Sequence, residues 1–261
     1  MPPAIALTIA GSDPSGGAGI QADLKTFHQF RVYGEAVIAL LTVQNTREVR
    51  RVKVLPAELV MEQLEAVLDD LRPAAAKTGA LGSAEVVRAI AAAAEQFDFP
   101  LVVDPVMISK HGAPLILDDA RAALAEDLLP RAYLLMPNTH EAEALTGFEV
   151  RTRTDMRRAA EALHRMGAQH VLLKGGHAEG DATDLLFTGS EFIELPSERY
   201  DTVHTHGTGC TYSAAITAEL AKGEPIIKAV RLAKRFIADA IRTAPGLGGG
   251  SGPVNHFAPV E

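Results

Sequence analysis

The feature that most restricts the fold of this chain is a series of short apolar segments that alternate with helical patterns. The apolar runs are nearly continuous, which is typical of parallel strands buried on both faces of a sheet. They lie at Ala6–Ala10, Val37–Val43, Ala74–Thr78, Leu101–Val103, Tyr133–Met136 and His170–Lys174. Helical spacing follows at Ile20–Phe30, Glu58–Leu71, Ala84–Gln96, Asp119–Leu128, His140–Leu145, Asp155–Met166, Thr211–Lys222 and Ile226–Thr243. This order predicts an α/β fold with a mainly parallel central sheet and helices on both faces.

One pair of segments interrupts the alternation. Asp184–Thr188 and Glu191–Leu195 are short and partly apolar, and a turn sequence containing Gly189 joins them. This pattern predicts a small antiparallel hairpin at an edge of the sheet. No Pro-, Gly- or Ser-rich linker divides the chain, so residues 1–261 are predicted to form a single domain.

Charge and composition exclude several function classes. The chain has 33 acidic and 25 basic side chains and a formal net charge of -8. We expect no nucleic-acid partner, because phosphate backbones require a basic surface, although a small anion could bind in a local positive pocket. No apolar run reaches the roughly 18 residues of a membrane span, and the start lacks the pattern of a signal peptide. The single cysteine excludes an intramolecular disulfide, and a cytoplasmic protein is expected.

The loop Gly11–Gly19 lies between the first predicted strand and the first predicted helix. Its glycines let the backbone approach a ligand, and the helix N-terminus offers free N–H groups. It is not a Walker A loop, because Gly16 is not followed by Lys and Ser or Thr. A looser dinucleotide fingerprint fits, but the second strand ends at Gln44 rather than at an acidic residue. A plain strand-to-helix turn is the alternative interpretation.

A second glycine-containing segment, Gly207-Thr208-Gly209-Cys210, comes directly before an apolar helix. Consecutive N–H groups at a helix N-terminus form an anion site, and the helix dipole favours a thiolate at Cys210. A lone cysteine is more commonly a small buried hydrophobic residue. A core cysteine needs no such loop, however, so the anion site is a serious candidate.

Polar residues also follow three predicted strands. Asn138 with Glu141 three residues later forms a capping pattern, which alone explains the spacing; a hydrated Mg²⁺ is the alternative. Lys174 lies at the carboxyl edge of the sheet, where open α/β folds bind ligands, unless it is an ordinary surface lysine. Asp104 is a candidate for organising metal or water, or for capping the turn before a proline.

Two loops complete the set of candidates. Ile108–Pro114 is polar and contains glycine, which makes it a candidate lid. Gly246–Pro253 is dense in glycine, and we expect a flexible or loop segment there; backbone packed close to a ligand is the alternative. Histidines such as His28 and His164 lie in helical patterns, so surface or core roles are expected for them.

Six motifs follow one another along almost the whole chain: Leu7–Asp23, Val43–Thr46, Asp104–Met107, Pro137–Glu141, Lys174–His177 and His206–Cys210. Their order resembles that of the hydroxymethylpyrimidine/phosphomethylpyrimidine kinases of thiamine biosynthesis, in the ribokinase-like superfamily. The resemblance implies a ribokinase-like fold, a homodimer, and ATP and Mg²⁺ as cofactors. It also implies phosphorylation of 4-amino-5-hydroxymethyl-2-methylpyrimidine, and then of its monophosphate.

Matched motif by motif, the resemblance implies that Gly11, Asp23, Gln44, Ala80 and Val106 form the pyrimidine site. Ala80 departs from many relatives, which have methionine there, and its smaller side chain leaves room that bears on substrate selectivity. The Gln44 amide carries both a donor and an acceptor, which can match a ring nitrogen and an exocyclic amine. Related enzymes that accept pyridoxal tend to have methionine in its place, so Gln44 favours the pyrimidine. A pyridoxal or dual-specificity kinase and a non-catalytic regulatory module are the alternatives.

The resemblance also implies catalytic roles. The backbone N–H groups of Gly207, Thr208, Gly209 and Cys210 would hold the charge that develops on the phosphoryl group, and Lys174 would neutralise its oxygens. Asn138, Glu141 and Asp104 would lie around Mg²⁺, mostly through water. Cys210 would be the general base, at a position where most ribokinase-like enzymes have aspartate. The helix N-terminus is expected to lower its pKa from about 8.5 toward neutrality.

Overall fold

The computed structural model describes residues 2–109, 112–116, 118–176 and 182–260. In these residues the strands are β1 Ile5–Ser12, β2 Tyr33–Gln44, β3 Val49–Val54, β4 Ala75–Thr78, β5 Leu101–Val103, β6 Leu134–Leu135, β7 His170–Leu173, β8 Asp184–Phe187 and β9 Phe192–Leu195. The helices are α1 Gly19–Gln29, α2 Ala57–Asp70, α3 Ala84–Ala94, α4 Asp118–Ala123, α5 Thr139–Thr146, α6 Arg153–Arg165, α7 Thr208–Ala221 and α8 Ile226–Arg242. A π-helical turn, Leu124–Leu128, continues α4, so that predicted helix is irregular in its second half.

All nine strands belong to one sheet, in the order β3-β2-β1-β4-β5-β6-β7-β8-β9. The six central strands, β2, β1, β4, β5, β6 and β7, are parallel, which confirms the predicted fold class. The chain first adds strands on one side of β1 and then returns to add β4 on the other. Open α/β sheets bind ligands at the carboxyl ends of the strands where the order reverses in this way.

The sheet has an antiparallel hairpin at each edge. β8 and β9 form the predicted one. At the other edge β3 pairs antiparallel with the end of β2, and this strand was not predicted from the sequence. Three of its six residues, Arg50, Arg51 and Lys53, are exposed cations, as is common on an edge strand, so the segment lacks an apolar run.

Each face of the sheet packs against its own set of helices. Alternate residues of β1 show this, because Ala6 packs in a cluster with residues of α1, α7 and α8, whereas Leu7 packs in a cluster with residues of α2, α3 and α6. Helix α7 is buried on all sides from Thr211 to Ala221. It is therefore a central element, and its N-terminal end has a fixed position near the carboxyl ends of the parallel strands.

The glycine-dense segment has loop structure, as expected, and it packs against the rest of the protein. A Cβ atom on Gly250 would collide with the backbone carbonyl of Thr46, in the turn between β2 and β3. Pro253 forms a bridge with His206, and the backbone N–H of Gly252 donates to Nδ1 of His204. Among the described residues, no helix is long and apolar enough to cross a membrane.

Candidate active site

A cavity of about 790 Å³ opens at the carboxyl ends of the parallel strands, beside the reversal of strand order. Every residue that the sequence analysis proposed for the site, with the exception of Asp23, lines this cavity. They are Gly11, Gln44, Ala80, Asp104, Val106, Asn138, Glu141, Lys174, Gly207, Thr208, Gly209 and Cys210. The strand ends thus bring together residues that are far apart in the sequence.

Helix α7 begins three residues earlier than the sequence predicted, at Thr208 rather than at Thr211. Glycine is a poor helix former, so Gly209 hid the start of the helix. Gly207 is the N-cap, with φ of 78°, and a Cβ atom there would collide with the carbonyl of Gly17. The predicted anion site is therefore the first turn of the helix itself.

The N–H groups of this first turn are not equivalent. The Thr208 N–H donates to the carbonyl of Thr205 at 3.3 Å. Gly209 and Cys210 follow it, and the N–H groups at these helix positions have no acceptor within the helix. These two groups are the best placed to bind an anion in the cavity, where the helix dipole also favours negative charge.

A lysine and two carboxylates lie beside the end of α7. The Lys174 Nζ is 2.7 Å from Oδ1 of Asp104 and 3.8 Å from Oε2 of Glu141. A Cβ atom on Gly209 would lie 3.4 Å from Oδ2 of Asp104 and 3.6 Å from Nζ of Lys174, so the missing side chain leaves these charges open to the anion site. Burial alone would lower the pKa of Lys174, but the carboxylates of Asp104 and Glu141 prevail and raise it well above the ordinary value.

Asn138 and Glu141 form the predicted capping box at the start of α5. The Asn138 Oδ1 accepts from the Glu141 N–H at 2.9 Å, and the Glu141 Oε2 accepts from the Asn138 N–H at 2.8 Å. Burial raises the pKa of Glu141 to about 7, although the nearby Lys174 ammonium works in the opposite direction. The cap is confirmed, and it leaves both side chains on the wall of the cavity.

The arrangement fits a hydrated Mg²⁺. The Oδ2 atom of Asp104 is buried and has no hydrogen-bond partner among the described residues. A buried carboxylate oxygen without a partner is unfavourable, and a cation or its water satisfies it. In the described part of the chain, no three His, Cys, Asp or Glu side chains form a metal-binding group. An ion that keeps most of its waters and binds through phosphate, as Mg²⁺ does, suits such a site.

The environment of Cys210 contradicts the expectation of a lowered pKa. Burial raises the pKa of the thiol to about 12, and the Asp23 and Asp104 carboxylates add to the effect. The Lys77 ammonium and a hydrogen bond from the Gly19 backbone oppose the rise without cancelling it. Desolvation and two nearby anions thus favour the protonated thiol of Cys210 at neutral pH in the ligand-free protein.

Asp23 does not reach the cavity, contrary to its expected place in the pyrimidine site. It is fully buried, and its Oδ1 lies 2.7 Å from Nζ of Lys77. Its Oδ2 accepts from the hydroxyl of Thr8 at 2.7 Å. Both oxygens have partners inside the protein, so direct contact with a ligand would require the ion pair to open.

One central side-chain contact, between His206 and Asp13, was not predicted from the sequence. The Nε2 of His206 lies 2.8 Å from Oδ2 of Asp13, and both side chains are buried. The backbone N–H of Ala18 also donates to this oxygen, and Ser15 donates to Oδ1 through its backbone and its hydroxyl. Burial would raise the pKa of Asp13, but the hydrogen bonds from His206 and Ser15 prevail and lower it. The pair joins the two glycine-rich loops, and no local pattern signals it.

The same cavity also contains the residues expected to bind a ring. Gly11, the half-buried Gln44, Ala80 and Val106 all line it. A Cβ atom on Gly11 would collide with the side chain of Leu40, so a larger residue would alter this wall. The Ala80 methyl group leaves more room than a methionine would, as the sequence indicates.

The predicted lid borders the same cavity. Ile108 and Ser109 line it, and the Ser109 N–H donates to the carbonyl of Ala113 at 2.8 Å. Two residues of the lid, Lys110 and His111, lie outside the described residues, as does His177 of the motif after β7. The lid role stays a prediction.

The fold is that of a ribokinase-like kinase. The N-terminus of α7 and a lysine beside buried carboxylates line its cavity, as suits a phosphotransferase. The sequence matches the family model described as phosphomethylpyrimidine kinase over residues 13–255, and the chain belongs to this family. It is 49% identical to the hydroxymethylpyrimidine/phosphomethylpyrimidine kinase of Bacillus subtilis over 97% of this chain and 94% of that protein.

Two solved structures show the same fold. A phosphomethylpyrimidine kinase from Clostridium difficile is 43% identical, with a TM-score of 0.82 over 91% of this chain and 99% of the other. A pyridoxal kinase from Staphylococcus aureus, in complex with AMP-PCP and pyridoxal, is 36% identical, with a TM-score of 0.91 over 99% of this chain and 95% of the other. This protein is therefore a kinase that uses ATP. Because it resembles both phosphomethylpyrimidine kinases and pyridoxal kinases, the main question is which small molecule receives the phosphoryl group.

Proposed function

We propose that this protein phosphorylates 4-amino-5-hydroxymethyl-2-methylpyrimidine and then its monophosphate, with ATP as the phosphoryl donor. The observation that carries the proposal is that Gln44 lies in the same cavity as the anion site at the start of α7. The Gln44 amide offers a donor and an acceptor to a ring that has both an amine and a ring nitrogen. The curated relative from Bacillus subtilis carries the name of this activity.

In the proposed reaction, the hydroxymethyl oxygen of the substrate forms a bond to the γ-phosphorus of ATP. The bond between that phosphorus and the bridging oxygen breaks, and ADP leaves with the electron pair. Negative charge develops on the transferring and leaving oxygens. The Gly209 and Cys210 N–H groups are oriented before the reaction, so they can stabilise this charge without reorganising. Lys174 adds a positive charge on the same side of the cavity.

Mg²⁺ would supply additional positive charge to the phosphate oxygens when it is bound. Asp104 and Glu141 are the carboxylates that would hold its water shell, with Asn138 beside them. Lys174 is now shared between the two carboxylates. Lys174 would be available to phosphate once its ion pair with Asp104 is weakened.

The proton of the substrate hydroxyl needs an acceptor, and Cys210 is the proposed one. A protonated thiol cannot accept this proton, so the role requires that substrate and nucleotide binding lower the pKa of Cys210. Neutralisation of the Asp104 charge would work in this direction, since Asp104 raises the pKa of the thiol in the free protein. A loose transition state demands proton removal only late in the reaction, which relaxes the requirement.

A pyridoxal kinase activity is the second candidate function. The pyridoxal kinase from Staphylococcus aureus has the same fold, and Ala80 leaves space in the cavity wall for a larger ring substituent. Gln44 favours the pyrimidine, because a bound ring that lacks matching groups would cover the amide and leave it without hydrogen-bond partners. The pyrimidine is therefore the proposed main substrate.

A coupled assay of ATP turnover in the presence of Mg²⁺ tests the function. It compares hydroxymethylpyrimidine, its monophosphate and pyridoxal, and Lys174→Met serves as the control for background hydrolysis. We expect turnover with both pyrimidines, slower turnover with pyridoxal, and little turnover by the variant. Preferred turnover of pyridoxal would reject the main proposal. Tight pyrimidine binding without turnover would instead identify a regulatory module.

The proposal includes a magnesium requirement, a homodimer and a cytoplasmic location. Chelation by EDTA should abolish turnover, and added Mg²⁺ should restore it. Sedimentation equilibrium tests the dimer, and a monomer at working concentration would contradict that part. Fractionation of cells tests the location.

A further inference from the structure

A charged cluster lies inside the protein beneath the active site. Asp23 of α1 and Lys77 of β4 form an ion pair of 2.7 Å, and the Thr8 hydroxyl donates to the other carboxylate oxygen at 2.7 Å. None of these side chains is exposed to solvent. Burial of an ion pair has a large desolvation penalty, and apolar side chains of similar volume are often as stable in a core. The position of this pair beneath the active site therefore suggests a role other than stability.

The direction of the Lys77 side chain follows from the strand pattern. Successive residues of a strand point to opposite faces, so Lys77 and Ala75 share a face of the sheet. Ala75 packs in the cluster that contains Ala214 and Ala215 of α7, whereas Ala76 packs in the cluster on the other face. The Lys77 ammonium therefore lies between the sheet, α1 and α7, the helix whose first turn contains Cys210.

We propose that Asp23 and Lys77 are positioning residues that control the charge of the Cys210 sulphur with opposite signs. Lys77 places a fixed positive charge near the sulphur and favours the thiolate. Asp23 holds Lys77 in place but adds a negative charge and favours the thiol. The inference deepens the proposed function, because it rests on the role given there to Cys210.

The charges that face Cys210 come from four parts of the chain. They are Lys77 on β4, Asp23 on α1, Asp104 after β5 and Lys174 after β7. Burial is the largest influence on the thiol, Lys77 lowers its pKa, and Asp23 and Asp104 raise it. The two anions act against Lys77 in the ligand-free protein, so removal of the Asp23 charge leaves the Lys77 ammonium to favour the thiolate.

The experiment uses the full chain without ligands, and Cys210 is its single cysteine. The variants are Asp23→Asn, Lys77→Met and the double variant, which replaces the ion pair by a neutral pair of similar shape. Two readouts are measured as pH rises from neutrality: the rate of alkylation by iodoacetamide, and the ultraviolet absorbance of the thiolate against Cys210→Ala. The absorbance reports charge and does not depend on access of the reagent.

We expect Asp23→Asn to raise alkylation about tenfold, Lys77→Met to lower it, and the double variant to return close to the wild-type rate. The thiolate absorbance should appear at lower pH only in Asp23→Asn. If one single variant does not fold, the other single variant compared with the double still tests one of the two charges. Equal titration of Cys210 in all folded variants would overturn the proposal.

A matched control removes the ion pair between Lys222 and Glu219, which lies at the far end of the same helix. Lys222→Met with Glu219→Gln should leave the titration of Cys210 unchanged, and an equal shift there would also overturn the proposal. Because both readouts need no substrate, a failure of the proposed kinase activity would be seen separately, in the turnover assay.

Discussion

Asp13 and His206 are separated by 193 residues and are joined by a buried contact of 2.8 Å between a carboxylate oxygen and a ring nitrogen. This contact connects the loop after β1 with the residue that precedes the Gly207 cap of α7. The position of the first turn of α7 therefore depends on a loop near the opposite end of the chain.

The first prediction concerns this contact. His206→Phe should reduce kcat/KM for ATP by about 10²-fold, because the Gly209 and Cys210 N–H groups lose their fixed orientation. Asp13→Asn keeps an acceptor for His206 and should have a smaller effect. Steady-state kinetics checks both variants, and a loss in His206→Phe that is confined to pyrimidine KM would contradict the explanation.

The second prediction concerns Cys210. Cys210→Ala should lower kcat by at least about 10²-fold, as expected for loss of a general base, with pyrimidine affinity within a few-fold. Cys210→Asp should retain more activity, because a carboxylate accepts a proton at neutral pH. Isothermal titration measures the affinity. Unchanged turnover in the alanine variant would remove Cys210 from the base role.

The third prediction concerns substrate choice. Gln44→Met should lower kcat/KM for hydroxymethylpyrimidine by about 10-fold or more, since the donor and acceptor of the amide are lost, and should improve the relative use of pyridoxal. Ala80→Met is the matched variant in the same cavity, and it should act only by reducing the volume available to the substrate. If neither substitution changes the ratio of the two substrates, specificity is determined elsewhere.

The fourth prediction uses Glu35, a buried carboxylate on β2 outside the active site. Neither of its oxygens has a partner among the described residues, and burial with the nearby Asp70 raises its pKa to about 7. A raised pKa favours folding below the unfolded value of 4.5, and this contribution is lost as pH rises through 7. At pH 8, Glu35→Gln should therefore increase the free energy of unfolding by about 1–2 kcal/mol, after allowance for solvent screening.

Urea denaturation at pH 5 and at pH 8 measures this effect. The gain should shrink or vanish at pH 5, where the wild-type carboxyl is protonated. Glu65→Gln on the exposed face of α2 is the control and should show no such dependence. An equal gain at both pH values would mean that charge is not the cause.

The sequence allowed the main architecture to be predicted because parallel strands buried on both faces leave long apolar runs. β3 was missed because an edge strand exposes its charges, and the start of α7 was missed because of Gly209. Most residues of the site could be placed, since they follow strand ends or belong to glycine-rich motifs. The pairing of Asp23 with Lys77 and the pKa of Cys210 depend on three-dimensional neighbours, which no local pattern encodes.

The glycine-dense segment also affects the order in which the protein is completed. The segment holding Gly252 and Pro253, which contacts His204 and His206, follows every strand of the sheet in the chain. During synthesis, all nine strands therefore emerge first, then helices α7 and α8, and only then the segment that supports the predicted anion site. The predicted anion site is thus among the last parts of the protein that can form.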